Sequence, residues 1–131
     1  MTQTSDQNKK NSLKKKEKLL KPVQYKYVYQ QGKVYKGGEV WLYFCPNGLE
    51  YNRLGISISK KTCGSAVLRN RTKRLFREAF RQKKDTFARG RDLVYVIKKV
   101  PGLNLQNIGE IIEKLTGKNI KNHEKNNTLA D

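Results

Sequence analysis

One stretch, residues 66–82, limits the possible folds more than any other part of the chain. It reads A-V-L-R-N-R-T-K-R-L-F-R-E-A-F-R-Q, with no Gly, no Pro and only two β-branched residues. At ~3.6 residues per turn it is long enough for about four and a half turns, and it is predicted to be a helix. On a wheel of about 100° per residue, Leu68, Thr72, Leu75, Phe76 and Ala79 gather on one side, with Phe80 at its edge. Asn70, Lys73, Arg74, Arg77 and Arg81 gather on the other, and Arg69 and Arg71 sit on the flanks. One face therefore calls for a core, and the other presents a cationic row. Glu78 is spaced to pair with Arg74 four residues back and with Arg81 three residues on. A charge row is ordinarily a solvated helix face. Such faces mix signs, however, and this one holds a single carboxylate. Its cations are mostly Arg, whose planar fork matches phosphate better than Lys does. The row reads as a phosphate-binding face.

The charge of the whole chain agrees. Among 131 residues, 29 Lys and Arg stand against 11 Asp and Glu, a net charge of +18. That excess points to a polyanion, nucleic acid before an anionic membrane. The longest apolar run, residues 40–45, is far short of the ~20 residues a membrane span needs. The first twenty residues contain no apolar signal-peptide core, so no membrane association and a cytoplasmic location are expected. The two cysteines are then expected as reduced thiols.

The length suits one domain with tails. Residues 1–18 are polar and Lys-rich and are expected to be a disordered basic arm. Residues 19–31 read as a helix, with Pro22 in its first turn, Tyr25, Val28 and Tyr29 on one face, and Gly32 at its end. A Tyr stripe of this spacing is usually core, although Tyr also stacks on bases. Residues 33–36 and 39–45 read as strands joined at Gly37-Gly38. In the second, Val40, Leu42 and Phe44 share one face, and Trp41, Tyr43 and Cys45 the other. Residues 53–59 form a third strand, with Leu54, Ile56 and Ile58 opposite Gly55, Ser57 and Ser59. The sheet then has one apolar face and one that reads as an open groove floor. Ser65 is placed to cap the cationic helix. Residues 93–97 are a continuous apolar strand, the pattern of burial on both sides. Residues 105–116 form an amphipathic helix with Asn104 as its cap and Gly117 at its end. Residues 118–131 are an Asn/Lys-rich tail expected to be disordered. The expected fold is one α+β domain over residues 19–117, a small two-layer sandwich in the order α-β-β-β-α-β-α.

Catalytic chemistry is hard to assemble from these residues. The one histidine, His123, lies in the tail, which excludes a two-histidine ribonuclease mechanism within one chain. Cys45 and Cys63 lack the spacing of a zinc site. The carboxylates are scattered, with no close acidic pair for catalytic metals.

Residues 60–81, K-K-T-C-G-S-A-V-L-R-N-R-T-K-R-L-F-R-E-A-F-R, resemble the signature of the protein-subunit family of bacterial ribonuclease P. The R-N-R core at Arg69-Asn70-Arg71, followed by K-R and R-E-A-F-R, is highly specific. The resemblance extends to Tyr25-x-x-Val28-Tyr29-x-x-Gly32, to L-G-I-S-I-S-K-K at residues 54–61 and to R-D-L-V-Y-V-I at residues 91–97. The family commonly has Phe where Tyr25 stands, and Thr62-Cys63 make the loop one residue longer than in many members.

The resemblance implies a four-stranded mixed sheet with a left-handed βαβ crossover. It implies an endonuclease holoenzyme that removes the 5′ leader of precursor tRNA, in which an RNA subunit using Mg²⁺ is the catalyst and the protein is its cofactor. Contacts to the catalytic RNA are then expected at Arg69, Asn70, Arg71, Lys73, Arg74 and Arg77. Contacts to the precursor-tRNA leader are expected at Tyr25, Tyr29, Tyr43, Ser57, Lys60 and Lys61, and strand parity adds Trp41 and Ser59. No catalytic residue, no protein-bound metal and no obligate protein partner are expected. A ribosomal-type structural RNA-binding protein explains the charge and the fold but not the Tyr cleft beside the R-N-R signature. A self-sufficient metal nuclease would have to cleave precursor without RNA.

Overall fold

The computed structural model describes residues 13–118. Helix α1 (Pro22–Gln31) leads into strands β1 (Lys33–Lys36), β2 (Val40–Pro46) and β3 (Arg53–Ser57). The cationic helix is α2 (Ala66–Lys83), followed by β4 (Arg91–Ile97) and α3 (Leu105–Glu113). This is the expected order of elements. Pro22 opens α1. Ser65 caps α2 by accepting the Leu68 N–H at 3.1 Å, and Asn104 caps α3 by accepting the Asn107 N–H at 2.8 Å. Each cap satisfies a helix-end donor that has no partner within the helix. Gly32 ends α1 because of a close approach. A Cβ there would lie 2.4 Å from the Val28 carbonyl oxygen and 2.7 Å from that of Phe44.

The sheet order is β1-β2-β4-β3, antiparallel except for the parallel pair β3–β4. The main core lies on one face, where Val40, Leu42, Phe44, Leu54, Ile56, Leu93, Tyr95 and Ile97 meet Phe76, Ala79 and Phe80 of α2 and Ile108 and Ile112 of α3. Two layers describe this core as expected. Helix α1 adds a partial cover on the other face, where Leu19, Val28, Cys45 and Val94 pack with Tyr25, Tyr43 and Val96. β4 is thus apolar on both sides because both of its sides are covered.

The hand of the β3–α2–β4 crossover follows from one hydrogen bond. The Leu54 side chain lies in the core beneath α2, and its carbonyl accepts the Leu19 N–H at 2.8 Å on the free side of β3. Seen from the α2 side with β3 running upward, an L-residue whose side chain faces the viewer directs its carbonyl to the right. The free edge is therefore on the right and β4 on the left. A path over the near face and leftward is left-handed, against the usual rule for parallel strands.

Several boundaries differ from expectation: the first helix starts at Pro22, β2 runs one residue later than 39–45, and β4 starts two residues before 93. Residues 13–18, assigned above to the arm, are built into the fold. Lys15–Glu17 form a 3-10 turn, Lys18 bridges to Leu54, and Lys84 reaches Glu17 at 3.3 Å. Pairing to the edge of β3 supplies the backbone partners that a polar sequence does not advertise. Residues 1–12 and 119–131, with His123, lie outside the described residues. Pairing of β1 with β2 begins at Lys36↔Trp41, so the hairpin loop is longer than the two glycines. β3 stops at Ser57, because Ser59 is drawn into the next turn. The last turn of α3 widens into a π turn over Lys114–Lys118, which turns both Leu115 and Thr116 inward, where Thr116 bonds the buried Tyr95 hydroxyl.

A polar knot near the start of β4 was not foreseen. Arg53 donates to both oxygens of Asp92, at 2.8 and 2.7 Å, and Asn47 adds a third bond at 3.0 Å. Asp92 is only 2 % exposed. A buried carboxylate needs such partners to remain charged.

Candidate nucleic-acid interface

The apolar stripe of α2 is engaged in the core, and this fixes what its other face shows. Asn70, Arg71, Arg74 and Arg77 are exposed, and Lys73 is half-buried. Glu78 pairs with Arg81, its Oε2 accepting the Arg81 Nε–H at 3.1 Å. The Arg81 side chain holds this carboxyl below its ordinary range. The further expected pair, Glu78 with Arg74, does not form. Among the described residues, ion pairs on α2 are confined to Glu78–Arg81 and Lys83–Glu113. Arg71, Lys73, Arg74 and Arg77 are therefore left with their charge directed at solvent.

Arg69 is different. Its Nη1 donates to the carbonyls of Cys63 at 2.8 Å and Gly64 at 3.2 Å. The first Arg of the R-N-R motif thus ties the preceding basic loop to the helix, and the second projects outward. In that loop Lys60 and Lys61 are exposed. Ser59 accepts the Thr62 N–H and its hydroxyl bonds the Thr62 hydroxyl, both at 3.1 Å. Ser59 is engaged in forming the turn.

The second surface lies on the opposite face of the sheet. Strand register sets its rows: Lys36, Trp41, Val96 and Ser57 form one, and Val34, Tyr43, Val94 and Gly55 the next. Tyr25 and Tyr29, one helical turn apart on α1, hang over this floor. The Tyr25 ring lies on Gly55, where a Cβ would fall 2.8 Å from it, and its hydroxyl donates to the Leu19 carbonyl at 3.2 Å. Tyr29 meets Tyr43 edge-on, with ring centres 5.0 Å apart. Burial pushes the Tyr29 phenol up, Ser57 opposes this, and Tyr25 and Tyr43 add to the rise. Tyr29 stays neutral over the working pH range and still exposes 38 % of its surface. A row of aromatic rings over this floor can accept flat bases.

Tyr25, Tyr29, Tyr43 and Ser57 are thus brought together, with Trp41 in the Ser57 row. Sequence reasoning missed Lys36 and Lys98, whose ammonium groups lie 5.0 and 4.5 Å from the Trp41 ring centre. It also missed Val96 as floor and Gly55 as the seat of Tyr25. The correct hairpin register would have found Lys36. The cysteines are free and buried, and Cys45 is pushed up by burial and by the Asp92 carboxylate, with Arg53 opposing. No helix among the described residues is long and apolar enough to cross a membrane.

The comparisons with known proteins converge. The Ribonuclease P family model matches residues 13–119. The ribonuclease P protein component of Caldanaerobacter subterraneus subsp. tengcongensis is 40% identical over 109 residues, covering 82% of this chain and 93% of that one. The ribonuclease P protein from Thermotoga maritima superposes with a TM-score of 0.69 at 28% identity, covering 76% of this chain and 94% of that one. The Staphylococcus aureus ribonuclease P protein gives 0.67 at 29% identity, covering 76% and 91%. The chain therefore belongs to the ribonuclease P protein family, whose RNA-binding members are protein components of a tRNA-processing ribonucleoprotein and partner the ribonuclease P RNA.

Proposed function

We propose that this chain docks on the catalytic RNA through α2 and holds the single-stranded 5′ leader of precursor tRNA in the cleft under α1. The holoenzyme cleaves the leader off endonucleolytically, in the cytoplasm where transcripts are processed. The observation that carries this reading is the pairing of two unlike surfaces on one rigid sheet: exposed, unpaired Arg71, Arg74 and Arg77 on one side, and ring-lined Tyr25, Tyr29 and Tyr43 on the other.

Each side chain then has a physical task. Arg71, Lys73, Arg74 and Arg77 neutralise phosphates as two RNAs approach, releasing counterions. Arg69 positions the Lys60-Lys61 loop between the two surfaces, and Asn70 adds a polar contact beside it. Tyr25, Tyr29 and Tyr43 stack leader bases at roughly 1–3 kcal/mol per base. Trp41 and Ser57 complete the floor. The leader is present in precursor and absent from product, so its binding favours substrate over product.

Mg²⁺ belongs in this reading to the RNA subunit. Among the described residues no three His, Cys, Asp or Glu side chains converge on a possible metal site. The test is reconstitution of RNA subunit and precursor with and without this chain, at low and high Mg²⁺. Stimulation at low Mg²⁺ that fades at high Mg²⁺ is expected. Cleavage by the chain alone would overturn the assignment of roles.

A further inference from the structure

The Trp41 end of the cleft is built differently from the Tyr29 end. Trp41 lies beyond the cluster that α1 covers, and it is half-buried. Two ammonium groups sit over its ring, that of Lys36 from the edge strand at 5.0 Å and that of Lys98 from just past β4 at 4.5 Å. Lys98 is held there by its backbone, its N–H donating to the Glu39 carbonyl at 2.8 Å. Both lysines are exposed, and among the described ion pairs neither has a carboxylate.

This arrangement is poised for exchange. The two charges lie within about 10 Å of each other and repel. A cation over an exposed ring is weakly held, whereas a phosphate offers each ammonium a charge-assisted hydrogen bond. An indole released by its lysines is the best stacking surface on this face of the sheet. We propose that Lys36, Trp41 and Lys98 form a nucleotide subsite at the open end of the cleft. A phosphate of single-stranded RNA draws both ammonium groups off the indole, and the attached base stacks in their place. This rests on the cleft reading above and extends it. The subsite responds only to a strand long enough to arrive there. A base within a duplex already has its faces covered, so the site takes single strands alone.

Trp41 is the one tryptophan of the chain, so its emission reports the exchange directly. The experiment titrates the holoenzyme with precursors of increasing leader length and with mature tRNA. The emission of Trp41 is expected to change once the leader exceeds a threshold length, and to stay constant with mature tRNA. Precursor affinity should rise about tenfold across the same threshold, and W41L should abolish that rise. K36Q with K98Q should make the salt dependence of that increment shallower by about 0.7 in log–log slope per phosphate seated. If emission ignores leader length while Tyr29→Ala still weakens precursor binding, the subsite is wrong and the cleft stands. If Tyr29→Ala and W41L both leave leader-dependent affinity intact, both readings fall. An unchanged salt slope in the lysine variant overturns the phosphate seat.

Discussion

Helix α2 and the cleft beneath α1 are suited to the same polymer by opposite physics. The arginines of α2 already stand in water, so a phosphate meets them with little desolvation, and the gain comes from counterions set free. That gain decays with salt and is blind to sequence. The cleft offers aromatic rings, and its proposed gain comes from stacking, which salt hardly touches but which needs an unstacked base. In the proposed roles, one surface suits a folded RNA held by its backbone, and the other would discriminate a strand from a helix. The charge excess of the chain belongs mainly to the first task and says little about the second.

The contrast is open to attack where it is largest. Arg71→Ala with Arg74→Ala and Arg77→Ala should weaken binding to the RNA subunit by roughly 10²–10³-fold and make its log–log salt slope shallower by about 2–3. Binding measured across a KCl series checks this. Arg69→Ala alone should alter the slope by less than one unit, because its guanidinium already holds two loop carbonyls. A loss equal to that of the triple variant would erase the distinction drawn within the R-N-R motif.

Next in size is the cleft. Tyr29→Ala should lower precursor affinity about tenfold and leave mature tRNA affinity and the salt slope unchanged. Equal losses for both ligands, read by competition binding, would merge the two surfaces into one electrostatic patch.

The smallest effect concerns pH. The Tyr29 phenol titrates above its ordinary value because burial disfavours the anion. Its neutral form is therefore favoured in the folded protein. That contribution is fully present below the unfolded pKa near 10 and is lost only as pH rises through the higher folded value. Leader-dependent affinity should be flat from pH 6 to about 10 and fall only above that. A step near neutrality in the ratio of precursor to mature affinity would assign the cleft's work to some other group.

The two surfaces were not equally legible in the sequence. The faces of α2 followed from a period of 3.6 in one continuous segment, and its cap from Ser65, because each depends on neighbours within four residues. Even there, the choice of Glu78 for Arg81 over Arg74, and of Arg69 for the loop, was set by local rotamers and a turn that spacing alone does not reveal. The cleft is assembled from α1, β2, β3 and β4. Strand parity correctly grouped Tyr43 with Trp41 and Gly55 with Ser57. It did not tell that Ser59 leaves the floor for a turn, nor that the longer hairpin loop sets Lys36 opposite Trp41. The Arg53–Asp92 pair was hidden for the same reason, since 39 residues separate its members.

The hydrogen that Gly55 carries in place of a side chain has a reach beyond its own position. With a methyl there, the Tyr25 ring 2.8 Å away could not keep its height. The ring would have to swing aside about its own side-chain bonds, and the aromatic wall it forms with Tyr29 would change shape. Position 55 thus acts as a gauge for the calibre of the slot. Natural or engineered changes in which strands this protein accepts have a place to begin where no ligand atom need ever touch.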